Sequence, residues 1–293
     1  MDLEVAPTEL LDVAAFVAAQ QADPAHHIGY LHVDAGPILE QLAGLEPVGT
    51  AGLVVATDGG RLVGVLAAEW DDAPPRCWWH GPFVAEDADW RTVGDALLAR
   101  ARTLLPATVT QEELAGDGRH AWLAAFAERH GFADKEASAV LVRTLGDDLA
   151  EPAVTMVSRS ALTAAQRDQV AVLHDALFPG THTTGRRLVA DADNRLLATL
   201  GEAGQVVGYV AVERQEDGSG YVDFLGVGPD HRGRGLGTHL VAAACRELRD
   251  ALGCREAHLT MRVGNAVARR VYARNGFAEE RLLVPYCRGF DPA

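Results

Sequence analysis

The two halves of the chain share short sequence matches at a nearly constant spacing. Gly60–Glu69 (GRLVGVLAAE) aligns with Gly204–Glu213 (GQVVGYVAVE) at an offset of 144 residues, and His130–Ala133 (HGFA) aligns with Asn275–Ala278 (NGFA) at an offset of 145. A third match of similar offset lies between them in both halves, where Gly94 meets Gly237. Three matches in the same order predict two copies of one fold.

Each copy is predicted to mix strands and helices without strict alternation. In the second half the pattern predicts strands at 153–158, 206–213, 220–228, 256–262 and 281–288, with helices at 162–177, 186–199, 235–252 and 265–275. This order favours an α/β (α+β) fold with a mixed, mostly antiparallel sheet flanked by helices. Acidic residues and a proline at 147–152 place the predicted boundary between a domain 1–150 and a domain 151–293.

Composition places the chain among ordinary soluble proteins. With 293 residues and 48% hydrophobic residues, it is long enough for two domains with a core each. The first residues are acidic where a signal peptide would be basic, and no apolar run approaches the roughly 18 residues of a membrane span. We therefore expect a cytoplasmic protein without a membrane partner.

The charge of the chain is divided unequally between its halves. Residues 1–150 hold 9 Lys/Arg against 24 Asp/Glu and carry the whole net charge of -15, whereas residues 151–293 hold 17 of each. An acidic half repels nucleic acid, so no nucleic-acid partner is expected, and an anionic ligand is better placed in the second half. The four cysteines form no C-x-x-C pair and the histidines at 26–32 lack matching ligand spacing, so no metal is expected.

A glycine-rich turn between a strand and a helix is the strongest chemical signal. Gly228–Gly237 reads GPDHRGRGLG and precedes an amphipathic helix. Main-chain N–H groups bared by glycine, the positive end of a helix dipole and two arginines together make an anion site. The spacing fits neither the P-loop nor the Rossmann fingerprint.

The RGRGLG segment fits [QR]-x-x-G-x-[GA], which resembles the acyl-CoA pyrophosphate loop of GNAT acetyltransferases. A second segment, Asn265–Phe277, resembles the other signature of that family: an Asn that opens a helix, a Tyr seven residues later and a Gly-Phe end. The resemblance implies a GNAT fold in each half and acetyl-CoA as acyl donor. It implies these donor-binding residues: Leu225, Val227, Arg232, Gly233, Arg234, Gly235, Leu236, Gly237, Thr238 and Asn265.

The resemblance also implies an N-acetyltransferase in which an amine attacks the thioester directly. Tyr272 would protonate the leaving thiolate. The alternative role for Tyr272 is purely structural, as a helix residue that packs on the sheet. Tyr221 stands where many relatives carry a Glu base, so Asp223 is the candidate base, with a strand-edge Asp bonded to a loop amide as the alternative. Two-residue alternation predicts that residues 221, 223, 225 and 227 share one face. The resemblance implies that the Val227 N–H is offered to the thioester oxygen. His182 and Tyr221 are the candidate acceptor-binding residues, although a lone loop His is commonly only solvated.

The first copy lacks several of these features. Its turn reads DWRTVG at residues 89–94, and Ala127 stands where Tyr272 stands in the second copy. Bulk and negative charge would obstruct a pyrophosphate, so we predict a degenerate, non-catalytic first domain. This tandem plan, with an active second copy, resembles that of mycothiol synthases.

The sequence thus predicts transfer of an acetyl group from acetyl-CoA to a primary amine of a small molecule. A protein or peptide N-acetyltransferase and a non-catalytic acyl-CoA-sensing module are the alternatives. No motif in the sequence indicates the acceptor, the acyl chain length or the oligomeric state.

Overall fold

The computed structural model describes residues 1–289 apart from residues 8, 73–74, 180, 182, 193 and 216. Its strands are β1 (Asp2–Val5), β2 (Leu53–Asp58), β3 (Arg61–Asp72), β4 (Pro75–Val84), β5 (Gln111–Asp117), β6 (Ala133–Asp134), β7 (Ser138–Thr144), β8 (Met156–Ser158), β9 (Arg195–Leu200), β10 (Val206–Arg214), β11 (Gly220–Val227), β12 (Glu256–Arg262) and β13 (Ala278–Arg288). Its α-helices are α1 (Leu10–Gln21), α2 (Ala35–Ala43), α3 (Trp90–Arg102), α4 (Ala121–Arg129), α5 (Ala164–Leu177), α6 (Gly185–Ala190), α7 (Leu236–Arg246) and α8 (Ala266–Arg274). A π-helical turn, Glu247–Ala251, continues α7.

The chain divides into two compact units. Unit 1 comprises Met1–Ser138 and Arg281–Ala293, and unit 2 comprises Ala139–Glu280. The strand order is β1-β2-β3-β4-β5-β13 in unit 1 and β8-β9-β10-β11-β12-β7 in unit 2. In each sheet one inner pair is parallel, β4 with β5 and β11 with β12. The pairs β1–β2, β2–β3, β3–β4 and β5–β13 of unit 1 and the pairs β8–β9, β9–β10 and β10–β11 of unit 2 are antiparallel. This confirms the predicted tandem of mixed, mostly antiparallel sheets.

The repeat extends to individual side-chain contacts. A Cβ built on Gly94 in α3 would lie 3.4 Å from Phe126 of α4, and one built on Gly237 in α7 would lie 3.7 Å from Val271 of α8. Phe126 and Val271 are 145 residues apart, the same offset as the HGFA and NGFA segments. Gly94 and Gly237 therefore occupy equivalent places where two helices approach closely.

The last strand of each sheet comes from the other half of the chain. β7 follows the first-half elements in sequence but belongs to unit 2, whereas β13 completes unit 1 by pairing with β5 from Leu283↔Asp117 to Arg288↔Glu112. The unit boundaries therefore differ from the predicted 1–150 and 151–293. Sequence alone cannot show the exchange, because the two strands hold equivalent positions in the repeat.

The predicted helix 186–199 is wrong over its second half. The helix α6 ends at Ala190, and β9 pairs with β10 on one side and β8 on the other. Leu196 and Ala198 pack in one core of unit 2 and Leu197 packs in the other. A strand buried on both faces reads as a continuous apolar run, which periodicity does not distinguish from a buried helix.

Unit 2 has one core on each face of its sheet. On one face α7 packs over Val210, Val212 and Val222, and on the other α5 packs over Tyr209, Ala211 and Phe224. Within the part of the chain that the structure describes, no helix has both the length and the apolar character to cross a membrane.

The exchanged strands predict how fragments behave. A fragment of residues 139–280 contains all six strands of unit 2, whereas a fragment of residues 151–293 lacks β7 and carries β13 without β5. We expect the first to unfold in one cooperative thermal transition and the second to aggregate through unpaired strand edges. Circular dichroism melting with light scattering checks this; a cooperative transition for 151–293 alone would contradict the assignment of β13 to unit 1.

Candidate active site

The glycine-rich turn of unit 2 has the backbone that only glycine adopts readily. Gly233 and Gly235 have φ angles of 74° and 81°, in the left-handed region that is costly for other residues. A Cβ built on either residue would meet no atom within 4 Å. The glycines therefore set the path of the main chain and leave open space in front of it.

The first turn of α7 has no side chain to cap it. Its N-cap residue is Gly235, so the leading amides, including those of Leu236 and Gly237, lack both an intrahelical partner and a carboxylate or hydroxyl partner from the cap. Arg232 and Arg234 are exposed beside it, and neither forms an ion pair with a described residue. Free amides, a helix N-terminus and two cations fit a diphosphate.

Strands β11 and β12 separate next to this turn. They pair at Gly220↔Ala257 and Tyr221↔His258. Beyond these two pairs, the described residues of β11 do not pair with those of β12. The Gly228 N–H donates to the Val207 carbonyl of β10 at 2.9 Å. Since successive residues of a strand direct their N–H groups to opposite edges, the N–H groups of Leu225 and Val227 point into the gap between β11 and β12.

A β-bulge at Asp223 interrupts the alternation of β11. Ala211 lies opposite Phe224 and the next residue, Val212, lies opposite Val222, so Asp223 is the extra residue. Leu225 and Val227 pack against the core under α7, whereas Phe224 packs in the core under α5. The prediction that residues 221, 223, 225 and 227 share one face is therefore wrong, because the bulge reverses the facing of every residue after Asp223.

The polar side chains at this bulge lie close to one another. The Tyr221 hydroxyl donates to Thr260 Oγ1 of β12 at 3.2 Å. Burial raises the pKa of Tyr221. The Thr260 hydrogen bond opposes that rise, and the Asp223 carboxylate adds to it by a smaller amount. Burial likewise raises the pKa of Tyr209, with Asp223 as the next cause. The Asp223 carboxylate therefore adds to the raised pKa of both phenols.

Tyr272 lies in α8 and packs against the core under α7. Its ring centre is 5.9 Å from that of Phe277, in an edge-to-face arrangement. Burial, with a further contribution from Tyr221, raises the pKa of Tyr272 to about 12. Its phenol is therefore a neutral hydrogen-bond donor at neutral pH.

Several of the sequence-predicted donor-binding residues have local hydrogen bonds, among them Arg232, whose Nε donates to the Val227 carbonyl at 3.3 Å. Asn265 is the N-cap of α8 and accepts from the Ala268 N–H at 3.0 Å, and the Thr238 N–H donates to the Gly235 carbonyl at 3.0 Å. In unit 1, His120 caps α4 in the same way by accepting from the Leu123 N–H. His182 lies outside the described residues.

One buried pair in unit 2 has no signature in the sequence. His174 of α5 is fully buried, with Nδ1 2.8 Å from the Tyr209 hydroxyl and Nε2 3.1 Å from the Thr183 carbonyl. A single His within a helical pattern reads as an ordinary core residue, and its partner Tyr209 reads as a strand residue. Only their tertiary contact indicates a shared role.

The corresponding turn of unit 1 is replaced by helix. Whereas α7 begins one residue before Gly237, α3 begins four residues before the equivalent Gly94. Its N-cap, Asp89, accepts from the Arg91 N–H at 3.2 Å and from the Thr92 hydroxyl. The Thr92 hydrogen bond lowers the pKa of Asp89, so a carboxylate of the chain itself already occupies this helix N-terminus.

The gap beside β5 of unit 1 is also filled. The Gly29 N–H donates to the Ala115 carbonyl at 2.8 Å, and the Asp117 N–H donates to the His27 carbonyl at 2.9 Å. Because β13 holds the other edge of β5, this segment lies on the edge that faces β4. Gln21 fixes the segment by bonding both the N–H and the carbonyl of the fully buried Ile28.

Comparison with known proteins identifies the family. Residues 166–277 match the model of the acetyltransferase (GNAT) family. The mycothiol acetyltransferase of Clavibacter michiganensis subsp. michiganensis is 30% identical over 240 residues, which are 78% of this chain and 67% of that protein. The chain belongs to the GNAT family. This confirms the predicted resemblance, and the protein is an acyl-CoA N-acyltransferase.

Other relatives agree with this assignment. The mycothiol acetyltransferase of Saccharopolyspora erythraea is 29% identical over 270 residues, 80% of this chain and 86% of that protein. The mycothiol acetyltransferase of Actinosynnema mirum is 38% identical over a shorter stretch of 96 residues, so that match spans only 32% of that relative's length.

Solved structures show the same fold along the whole chain. A GCN5-related N-acetyltransferase from Sphaerobacter thermophilus has a TM-score of 0.77 at 18% identity and covers 98% of this chain and 95% of its own. A tandem GNAT protein from the clavulanic acid biosynthesis pathway has a TM-score of 0.68 at 19% identity and covers 100% of both. The tandem architecture is therefore that of known GNAT structures.

The uncapped turn predicts the effect of Gly235→Asp. The new carboxylate would cap α7 and repel a diphosphate, so we expect acetyl-CoA affinity to fall by at least about 100-fold, in line with a lost charge-assisted contact and an added repulsion. Gly253→Asp is the matched control, since Gly253 also has a left-handed φ, of 69°, and open space at its Cβ. Calorimetric titration should show normal affinity for the control; equal affinities in both variants would place the diphosphate elsewhere.

Proposed function

We propose that unit 2 transfers the acetyl group of acetyl-CoA to a primary amine of a small molecule, by direct attack within a ternary complex. The observation that carries this is the uncapped, glycine-lined start of α7 beside the gap between β11 and β12. An anion bound at the turn would place the rest of its molecule along the free N–H groups of β11. This is the geometry that an elongated acyl-CoA requires.

The donor-binding roles follow from these positions. The amides of Gly233–Gly237 and the guanidinium groups of Arg232 and Arg234 bind the diphosphate, while the Leu225 and Val227 N–H groups bond the pantetheine and the thioester oxygen. An N–H fixed by a sheet is already oriented when negative charge develops on that oxygen, which favours the transition state over the ground state.

Tyr272 acts as the general acid in this proposal. Attack by the amine breaks the C–S bond, and the departing thiolate takes a proton from the phenol. The contact of Tyr272 with Phe277 and with the α7 core restricts its ring, and its raised pKa keeps the proton in place until the thiolate forms.

Asp223 acts as the general base that removes the proton of the attacking amine. Asp223 is the extra residue at the bulge of β11, and its charge contributes to the raised pKa of both Tyr221 and Tyr209. A carboxylate is an acceptor only, so it can accept a hydrogen bond and then a proton from an amine. Tyr221, bonded to Thr260, forms part of the acceptor site.

Unit 1 holds no acyl-CoA in this proposal. Asp89 takes the place of the anion, the first turn of α3 fills the space of the glycine turn, and the His27–Gly29 segment fills the gap beside β5. Ala127 of α4, equivalent to Tyr272, is fully buried and has no donor group. Each change alone would weaken binding or catalysis.

A small-molecule acceptor agrees with the names of the relatives, which are mycothiol acetyltransferases. The test is to titrate the protein with acetyl-CoA by calorimetry and then to follow release of free CoA thiol over a panel of small amines and a panel of peptides. We expect one acetyl-CoA bound per chain and thiol release with a small amine.

The other outcomes are distinct. Thiol release only with peptides would favour a protein N-acetyltransferase, and binding without thiol release on either panel would overturn the catalytic proposal in favour of an acyl-CoA sensor. Two acetyl-CoA molecules per chain would contradict the assignment of unit 1.

Tyr272→Phe distinguishes the role of the hydroxyl as general acid from the role of the ring in packing. Because Phe keeps the ring and loses only the hydroxyl, kcat should fall by about 10- to 1000-fold with little change in acetyl-CoA affinity. The measurement is steady-state kinetics with calorimetry on the same preparation. Unchanged turnover would remove Tyr272 from the mechanism.

The raised pKa of Tyr272 also predicts the alkaline side of the pH profile. The acid works while protonated, so its contribution is lost only as the pH passes about 12. We expect kcat to show no fall near pH 10, where an ordinary tyrosine titrates. A descending limb near pH 10 in the wild type that is absent in Tyr272→Phe would contradict a phenol that stays neutral at that pH.

A further inference from the structure

The connection between α5 and α6 packs against α5 itself. The Gly185 N–H donates to Asp175 Oδ1 at 2.6 Å, and a Cβ built on Gly185 would lie 2.1 Å from the Ala171 carbonyl oxygen. Thr183 bonds His174 through its carbonyl. The segment Thr183–Gly185, called here the acceptor loop, therefore lies directly against α5.

The hydrogen-bond partners of His174 fix the roles of its two ring nitrogens. The Thr183 carbonyl can only accept, so Nε2 carries the proton and donates. In the neutral ring Nδ1 is then an acceptor, and the Tyr209 hydroxyl donates to it at 2.8 Å. Both nitrogens of a fully buried imidazole are thus used, one toward the acceptor loop and one toward β10.

The same imidazole lies against the bulge that carries the candidate base. Its ring centre is 4.5 Å from that of Phe224, the neighbour of Asp223, and the Phe178 ring at the end of α5 is 5.1 Å from Phe224. A Cβ built on Gly226 would lie 2.6 Å from Tyr209 and 2.9 Å from Leu177. The His174–Tyr209 pair therefore joins the acceptor loop, β10 and the bulge of β11 in one closely packed group.

We propose that His174 and Tyr209 form a positioning pair that fixes the acceptor loop relative to Asp223 and so sets the affinity of the enzyme for its amine. This rests on the proposed function, which places the amine beside Asp223. Among the described residues, the hydrogen bonds and ring contacts of the pair involve neither the glycine turn nor Leu225 or Val227. Its loss should weaken amine binding and leave acetyl-CoA binding unchanged.

Four substitutions separate the loop bond from simple packing. His174→Gln keeps an amide donor near the position of Nε2, and His174→Asn keeps an acceptor near the position of Nδ1. His174→Ala removes both, and Tyr209→Phe removes only the hydroxyl. For an amine that the wild type acetylates, we expect KM for the amine to rise about tenfold in His174→Ala and His174→Asn, as for one lost buried hydrogen bond.

His174→Gln and Tyr209→Phe should show smaller rises in amine KM, because both keep a donor to Thr183. Acetyl-CoA affinity by calorimetry should stay within twofold of the wild type in all four variants. Gln166→Ala is the matched control on α5, because Gln166 forms a capping box with Thr163 at the far end of the helix. It should lower the unfolding temperature and leave amine KM unchanged.

Two results would overturn the positioning role. One is an unchanged amine KM in folded His174→Asn and His174→Ala; the other is a rise of equal size in all four variants that follows the loss of thermal stability. If His174→Ala does not fold, His174→Asn against His174→Gln still decides. Failure of the proposed function would instead appear in the wild type, as absence of amine-dependent thiol release.

Discussion

The start of α7 is the constraint on which the functional architecture depends. Helix geometry leaves the first N–H groups of any helix without partners, and most helices satisfy one of them with a Ser, Thr, Asp or Asn side chain. Here Gly235 holds the cap position and offers no such group. The unit thereby keeps donors free for a ligand, and the same glycines hold the left-handed turn that exposes them. In the proposed function these donors bind the diphosphate of acetyl-CoA, so unit 2 would forgo the stabilisation of a side-chain cap in favour of its ligand.

In unit 1, which has the same fold, the equivalent helix N-terminus is capped by a side chain. Asp89 caps α3, an additional turn of helix replaces the glycine segment, and Gln21 holds Ile28 against the edge of β5. Asp89 and the His27–Gly29 segment thus satisfy the helix end and the strand edge within unit 1 itself. Two units with the same order of strands therefore differ in whether one helix N-terminus and one strand edge have hydrogen-bond partners within the chain.

Local patterns in the sequence predicted much of this molecule. The repeat, the strand-turn-helix order around Gly235, the Asn265 cap and the replacement of the first turn all depend on residues near one another in the chain, so short-range rules apply to them. The facing of β11 was predicted wrongly because a bulge is defined by the register with β10, and β9 was predicted as helix because both of its faces are buried. The His174–Tyr209 pair joins residues 35 positions apart and was missed for the same reason. What the sequence did not indicate depends on partners that are distant in the chain.

The exchange of β7 and β13 has a consequence for how such a protein can change over evolutionary time. In an ordinary duplication one copy can be deleted by a single break between the two. Here a break at any one point separates at least one sheet from a strand that it needs, since unit 1 uses both ends of the chain. A break after residue 138 leaves unit 2 in one piece but separates β13 from β5, its partner in unit 1. Loss of the first copy by such a break therefore exposes the edge of β13 unless that strand is lost as well.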